Sequence, residues 1–313
     1  MASVAARYDR VYQGIALIVG AVLLLSLADA SVKYFSNRLA LWQLFLLVSC
    51  LTVPLLGGWL LLGLKSGQLR VTSVGWVAAR SISLLLMWVT YYSALPLIPL
   101  SVAAVAIYTT PLFIALFSTF YGGEKLSLLG WIAIGTGFAG VTLVLRPGAE
   151  AFNLAALLPV IGAVFYAIAM VMTRRHCRNE HPLVLALGLN VAFLIAASLG
   201  GITSFLDNGT LANRAPFLLS AWQPLGWQGL VFVCGYAIAL IAINTATARA
   251  YQIAPAALIG TFDYAYLVFA CFWGYWLFDE VPDGLTWGGM SLILGAGLLV
   301  LRRDCRTVSL KDD

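Results

Sequence analysis

Two aspartates lie inside long apolar stretches of this sequence, where a charged side chain is costly and usually has a purpose. A carboxylate at such a depth can carry a proton or pair with a substrate cation. We predict Asp263 as the first candidate for proton coupling and Asp29 as the second. Each also has a structural interpretation. Asp29 can pair with Lys33 one turn along the same helix, and Asp263 can pair with Arg249.

Uncharged polar and aromatic side chains occupy the same apolar stretches. Such groups can hold a zwitterion by hydrogen bonds, although a hydrogen bond between two helices is an equal alternative for each Asn or Tyr. Trp88 and its neighbours Tyr91 and Tyr92 are three and four residues apart, so they share one helix face. That face can stack an aromatic substrate or belong to an interfacial aromatic belt. The predicted substrate-binding residues are Trp88, Tyr91, Tyr108, Asn190, Tyr236, Asn244 and Tyr264.

The residue pattern does not indicate metal binding, nucleotide hydrolysis or another catalytic activity. His176 and His181 lie in a basic connection, which indicates a topology determinant rather than a metal site. No Gly-rich phosphate-binding loop with Lys is present, so ATP hydrolysis by this chain is not predicted. We therefore predict no catalytic residue, no metal and no cofactor. Pro111 is the predicted hinge, with a fixed kink as the alternative.

Composition places these residues in a membrane protein. The chain has 313 residues, of which 62% are hydrophobic and 10% charged, whereas a soluble domain carries about 25% charged residues. The net charge of +5 is therefore attributed to connecting loops and not to nucleic-acid binding. The lipid bilayer is the predicted partner, together with a small-molecule substrate.

Ten apolar segments follow one another, each close to the roughly 20 residues needed to cross the hydrocarbon core. Because backbone groups cannot stay unpaired in lipid, all ten are predicted helices. These spans 1 to 10 are Gln13–Phe35, Leu41–Leu64, Val74–Ala94, Pro99–Tyr121, Leu126–Leu145, Leu154–Thr173, Pro182–Phe205, Leu225–Thr247, Pro255–Phe278 and Gly284–Leu301.

An internal repeat divides the chain into two halves. Pro99–Arg146 reappears in degraded form and without a gap, 156 positions later, as Pro255–Arg302. Such repeats are typical of transporters built from two related halves. Five spans per half make the repeats inverted, so residues 1–146 form the first five-helix repeat and residues 147–313 the second. The predicted fold is all-α, with ten transmembrane helices around a central cavity.

Loop charges orient the spans. With the N-terminus in the cytoplasm, 14 of the 18 Lys and Arg fall on the cytoplasmic side, which is a strong positive-inside pattern. Arg80 is counted there with less weight, because it lies within or beside a helix end. Both termini are therefore predicted to be cytoplasmic.

The repeat stretches carry a family resemblance. The Gly-Glu-Lys corner at Gly123–Lys125 and the Phe-Asp-Glu corner at Phe278–Glu280 accompany Pro-started spans 4 and 9 and Gly-rich spans 5 and 10. In these features the chain resembles the drug/metabolite transporter superfamily, and more narrowly its EamA-type bacterial exporters, including the aromatic amino-acid exporter branch. The resemblance implies a basket of spans 1–4 and 6–9, with spans 5 and 10 packed outside it.

The function that the resemblance implies is export of neutral amino acids, including aromatic and large apolar ones, by alternating access in the bacterial inner membrane. Export of another metabolite or drug class, or a non-transporting membrane scaffold or enzyme, is the alternative. The glycines of spans 5 and 10 favour packing within one chain over an oligomer interface, and a monomer is slightly favoured. The pattern does not indicate which ion, if any, is coupled.

The topology prediction can be tested by single-Cys labelling in a Cys-free background. A Cys at Asn213, in the connection between spans 7 and 8, should react with an impermeant thiol reagent in intact cells. Labelling only after lysis would contradict the predicted orientation.

Overall fold

The computed structural model describes residues 2–65, 72–122, 128–145, 153–177, 179–206, 216–253, 259 and 262–309. Within these ranges the chain is helical and has no β-strand. The helices are α1 Ala2–Phe35, α2 Leu41–Lys65, α3 Val74–Ala94, α4 Leu100–Ile107, α5 Thr110–Gly122, α6 Leu128–Leu145, α7 Leu157–His176, α8 Pro182–Leu206, α9 Pro216–Leu219, α10 Trp227–Ile253, α11 Ala265–Phe278 and α12 Gly284–Ser309.

The helices are those of a membrane protein. Among the described residues, six helical segments are long and apolar enough to cross a bilayer, and shorter apolar segments lie in α4–α5, α6, α11 and α12. The predicted bounds of span 3 are those of α3. Span 8 was predicted to end at Thr247, but α10 continues to Ile253. Span 6 begins with a 3-10 turn, Leu154–Ala156, in which the Asn153 side chain accepts a hydrogen bond from Ala155 N.

Span 4 is not one helix, which corrects the prediction of a continuous segment from Pro99 to Tyr121. α4 ends at Ile107, and α5 begins at Thr110. Pro111 follows at once, and a proline lacks an N–H and disfavours helical geometry in the residue before it. The chain turns at Tyr108 and Thr109, so the bend lies just before the predicted hinge residue.

Span 9 is also interrupted. α11 begins only at Ala265, and Tyr264 lies in a turn. Pro255, the predicted start of this span, is outside the described residues. Tyr264 is the repeat partner of Tyr108, 156 positions later. Both described interruptions therefore fall on the same position of the repeat, which is typical of the broken helices that line transporter binding sites.

Two kinds of helix packing build the protein. α1 packs against α10 and α11, α2 against α8, and α3 against α7, and the largest apolar core lies among these helices. α6 and α12 pack on each other. A Cβ on Gly140 of α6 would lie 2.8 Å from the carbonyl oxygen of Gly289 in α12. Small residues thus let these two backbones touch.

Packing within one chain therefore accounts for part of the glycine pattern. A Cβ on Gly137 would clash with Leu112, and one on Gly288 would contact Leu143. Gly135, Gly284 and Gly295 would meet no atom within 4 Å.

Gly289→Ala should lower the free energy of unfolding by about 1–3 kcal/mol. The added Cβ would lie 2.3 Å from Val144 Cγ2 and 2.6 Å from Gly140 O, so the two helices would have to separate. Unfolding in mixed detergent micelles measures the change. Gly295→Ala on the same helix is the matched control, because its Cβ meets no atom within 4 Å. Equal effects of the two substitutions would contradict the close approach.

Candidate functional site

Asp29 is the centre of a buried cluster of tyrosines. Its side chain lies on α1 and is 1% exposed. Three hydroxyls donate hydrogen bonds to its carboxylate: Tyr266 at 2.5 Å, Tyr92 at 3.1 Å and Tyr91 at 3.3 Å. The hydroxyls of Tyr91 and Tyr266 also lie 2.6 Å apart, as do those of Tyr92 and Tyr236. The cluster thereby satisfies a carboxylate that would otherwise be very costly to bury.

Four helices bring this Asp29 cluster together. Asp29 precedes the end of α1 by six residues, or about 9 Å of helix. Tyr91 and Tyr92 occupy the last turn of α3, Tyr236 comes from α10, and Tyr266 is the second residue of α11. Because α11 begins after the turn at Tyr264, the helix interruption places Tyr266 beside Asp29.

The two helix interruptions face each other. The rings of Tyr108 and Tyr264 have centroids 5.6 Å apart, and Tyr108 stacks on Tyr266 at 5.1 Å. The Tyr108 hydroxyl lies 3.4 Å from Asp263 Oδ1. Tyr264 is buried, and its hydroxyl has no hydrogen-bond partner among the described residues. This arrangement offers a stacking surface, a carboxylate and an unused hydroxyl at the same place.

Arg80 is buried in α3, although the sequence counted it among the loop cations. Its side chain is 8% exposed. Nε donates to Thr173 Oγ1 of α7 at 2.7 Å, and Nη1 donates to the carbonyl oxygen of Leu185 in α8 at 3.3 Å. The charge of Arg80 therefore lies within the helix packing and not in a loop.

A row of polar side chains connects the Asp29 cluster with Arg80. Tyr166 of α7 interacts electrostatically with both Asp263 and Arg80, and Asp263 in turn contacts Tyr108. Tyr91 and Arg80 are eleven residues apart in α3, about 16 Å along the helix axis. The row consists of Asp29, Tyr266, Tyr108 and Asp263, joined by hydrogen bonds and ring stacking, and of Tyr166 and Arg80, related to them by electrostatic interaction.

One end of the protein is closed by an ion pair between distant parts of the chain. Lys33 Nζ lies 2.5 Å from Glu280 Oε1 and donates to Ile98 O at 2.8 Å. The other Glu280 oxygen accepts the backbone N–H of Leu100 at 2.7 Å, at the start of α4. The alternative pairing of Asp29 with Lys33 is thus wrong, because Lys33 binds Glu280. We call this end the Lys33 face.

The start of α3 lies at the opposite end, which we call the Glu180 face. Glu180 Oε1 accepts the backbone N–H groups of Thr72 and Ser73, both at 2.8 Å, and also the Thr72 hydroxyl. Burial by itself would raise the pKa of Glu180, but the hydrogen bonds from Thr72 and Ser73 hold the pKa below its usual value. The carboxylate, supplied by the connection between α7 and α8, therefore holds the two residues that lead into α3.

The remaining predicted residues lie in helix contacts. Trp88 is buried and packs on the ring of Tyr92 at 4.9 Å, so it does not belong to a lipid-facing belt. Asn190 accepts a hydrogen bond from Thr52 Oγ1 at 2.6 Å and donates to Ala186 O of its own helix. Asn244 donates to Leu240 O of its own helix. The Asn190 bond to α2 matches the structural alternative of a hydrogen bond between two helices, whereas the Asn244 bond stays within α10.

Sequence reasoning missed Tyr266 and the burial of Arg80. Tyr266 is a tyrosine within an apolar span, as Tyr264 is, so the rule that selected Tyr264 applies to it equally. No local signal distinguishes Arg80 from an arginine at the membrane surface, because its position depends on contacts with α7 and α8.

Comparison with known proteins identifies the family. The profile of the EamA-like transporter family matches residues 12–146. A riboflavin transporter of Vibrio cholerae is 30% identical over 239 residues, which cover 74% of this chain and 73% of that protein. The chain belongs to the EamA-like transporter family. It is thus related to small-molecule transporters, and the broader part of the sequence-based recognition is confirmed.

Other relatives within this family carry different names. A pseudopaline exporter of Pseudomonas aeruginosa is 25% identical, over 94% of this chain and 98% of that protein. An S-adenosylmethionine uptake transporter of Rickettsia felis is 24% identical, over 70% of this chain and 69% of that protein. A protein crystal structure shares the fold, with a TM-score of 0.61 at 23% identity over 93% of this chain and 97% of that one. The aromatic amino-acid branch is not singled out.

Tyr266→Phe should lower the free energy of unfolding by about 1–3 kcal/mol, because it removes the shortest hydrogen bond to a buried carboxylate. Unfolding in mixed detergent micelles measures the loss. Tyr264→Phe is the matched control and should be nearly neutral, since the hydroxyl that it removes has no partner. A neutral Tyr266→Phe would show that Asp29 does not depend on this donor.

Proposed function

We propose that this EamA-like transporter carries a metabolite that combines an aromatic ring system with several hydrogen-bonding groups, and that riboflavin is the first candidate. The observation that carries the proposal is the joined Asp29 cluster and helix interruptions. There, stacked tyrosines lie beside a buried carboxylate and an unpartnered hydroxyl. Such a site can stack on a flat ring and can form hydrogen bonds with the hydroxyl groups of a substrate.

Riboflavin has both features. Its isoalloxazine ring can stack with the rings of Tyr108 and Tyr264, and its ribityl hydroxyls can donate to Asp29 or accept from Tyr264. The riboflavin transporters of Vibrio cholerae, Rhizobium johnstonii and Brucella anthropi, at 30%, 29% and 27% identity, support this choice.

Aromatic amino acids are the second candidate, in keeping with the sequence-based expectation. Asp263 and Arg80 both interact with Tyr166, so opposite charges lie near one aromatic ring. A carboxylate and a guanidinium match the ammonium and the carboxylate of a zwitterion. Transport of phenylalanine would draw on this pair rather than on the Asp29 cluster.

We propose alternating access as the mechanism. The Lys33 face would be the outer side, since Lys33 lies in the last turn of α1 and the positive-inside pattern places the N-terminus, before that helix, in the cytoplasm. Release of the Lys33–Glu280 pair would open that face. The interruption before Pro111 and the one at Tyr264 would absorb the bending within two inverted repeats, residues 1–146 and 147–313. Protonation of Asp29 or Asp263 would supply any coupling to a proton gradient.

Purified protein in proteoliposomes should transport labelled riboflavin or phenylalanine faster than protein-free vesicles, and glucose, which lacks an aromatic ring, should not be carried. Tyr108→Ala should slow transport at least about tenfold, because a lost stacking surface and hydroxyl together cost more than about 1.4 kcal/mol. Tyr275→Ala is the matched control, since Tyr275 lies on α11 but is 61% exposed.

Failure to carry either ring-bearing solute would contradict the proposal. Equal losses in Tyr108→Ala and Tyr275→Ala would instead remove Tyr108 from the substrate site. Transport of riboflavin but not of phenylalanine, or the reverse, decides between the two candidates.

A further inference from the structure

Arg80 carries a charge that its described neighbours do not neutralise. A guanidinium stays protonated in proteins, and Arg80 is 8% exposed at the seventh position of α3, about 9 Å of helix beyond the start of the span. Charged groups at such depth are expensive to keep and mark substrate or ion pathways in membrane proteins.

The described contacts of Arg80 are made with neutral acceptors. Its bonds go to the Thr173 hydroxyl and the Leu185 carbonyl. In the part of the chain that the structure describes, the ion pair is that of Lys33 with Glu280, so Arg80 has no carboxylate partner there. Three of the five N–H donors of the guanidinium make no hydrogen bond to a described residue.

The position of Arg80 connects these donors with the substrate row. Tyr166 interacts with Arg80 and also with Asp263, and Asp263 contacts Tyr108 at the helix interruption. Arg80 lies on α3 between Tyr91 and the Glu180 face, so a solute that moves along α3 from the tyrosines towards that face would pass it. A guanidinium donates two parallel N–H groups to a planar pair of oxygen acceptors, and a neutral hydroxyl cannot use this geometry fully.

We propose that Arg80 forms a binding subsite for a planar oxygen acceptor of the substrate. The inference rests on the proposed function, because it assumes that the substrate follows the polar row. Two substrate groups have this chemistry: the carboxylate of an aromatic acid or amino acid, and the ring carbonyls of a flavin. The competing explanation is that Arg80 only ties α3 to α7 and α8.

Direct binding separates these possibilities without requiring transport. Isothermal titration of the purified protein in detergent would use three probes, namely hydrocinnamate, its neutral counterpart 3-phenylpropanol, and riboflavin. Arg80→Gln should weaken hydrocinnamate or riboflavin at least about tenfold, as expected for a lost charge-assisted bidentate contact. The affinity for 3-phenylpropanol should stay within about twofold of the wild-type value. If only hydrocinnamate loses affinity, the bound group is a carboxylate. If only riboflavin loses affinity, the bound groups are the flavin carbonyls.

Two further variants keep the test decisive if Arg80→Gln does not fold. Arg80→Lys retains the charge but not the fork and should weaken the affected probe about three- to tenfold. Thr173→Val removes one hydrogen-bond acceptor of Arg80 and keeps the guanidinium. The affinities of this variant for the three probes should therefore stay within about twofold of the wild-type values.

Several outcomes would overturn the subsite. The first is that neither hydrocinnamate nor riboflavin binds the wild type. The second is that Arg80→Gln lowers the affinity for all three probes equally. The third is that Thr173→Val lowers the affinity for the acceptor probes more than Arg80→Lys does. Failure of the proposed function has a different signature, since acceptor binding that depends on Arg80 would persist while proteoliposomes carry neither riboflavin nor phenylalanine.

Discussion

Asp29 has to be satisfied by protein groups, because the apolar core of a bilayer offers no water to a buried carboxylate. Three tyrosine hydroxyls do this, from α3 and α11, and Tyr236 of α10 supports one of them. The requirement holds α1 in contact with helices from both halves of the sequence. A substrate or a proton that alters Asp29 would therefore change contacts on several helices at once.

Carboxylates from the second half also bind the backbone where two helices of the first half begin. Glu280 accepts the N–H of Leu100 at the start of α4, and Glu180 accepts those of Thr72 and Ser73 at the start of α3. A helix N-terminus carries partial positive charge, so a carboxylate supplied by another segment stabilises it. The two contacts lie at opposite faces of the protein. Each joins the halves by a few hydrogen bonds.

The helix interruptions bring equivalent positions of the repeat together. Tyr108 and Tyr264 follow the same pattern 156 residues apart, and their rings approach to 5.6 Å. Where a helix stops inside the membrane, backbone groups lose their helical partners and are tolerated only beside protein or a polar cavity. The aromatic rings, Asp263 and the unpartnered Tyr264 hydroxyl surround this region.

Much of the architecture follows from the sequence alone. Apolar length and turn residues predicted the bounds of α3 and came close for several other spans, since these signals depend on neighbours along the chain. They failed at Tyr108, where the helix stops although the apolar pattern continues. The repeat pointed to Tyr108 and Tyr264 as equivalent, and polarity at membrane depth pointed to Asp29.

Tertiary structure alone decided which residues pair with the buried charged groups. Lys33 meets Glu280 across 247 positions, and Tyr266 meets Asp29 across 237, separations over which no sequence periodicity carries information. The burial of Arg80 was decided in the same way, because its hydroxyl and carbonyl acceptors come from α7 and α8. Local pattern predicts which residues are expensive to bury, and the packing of distant helices determines what satisfies them.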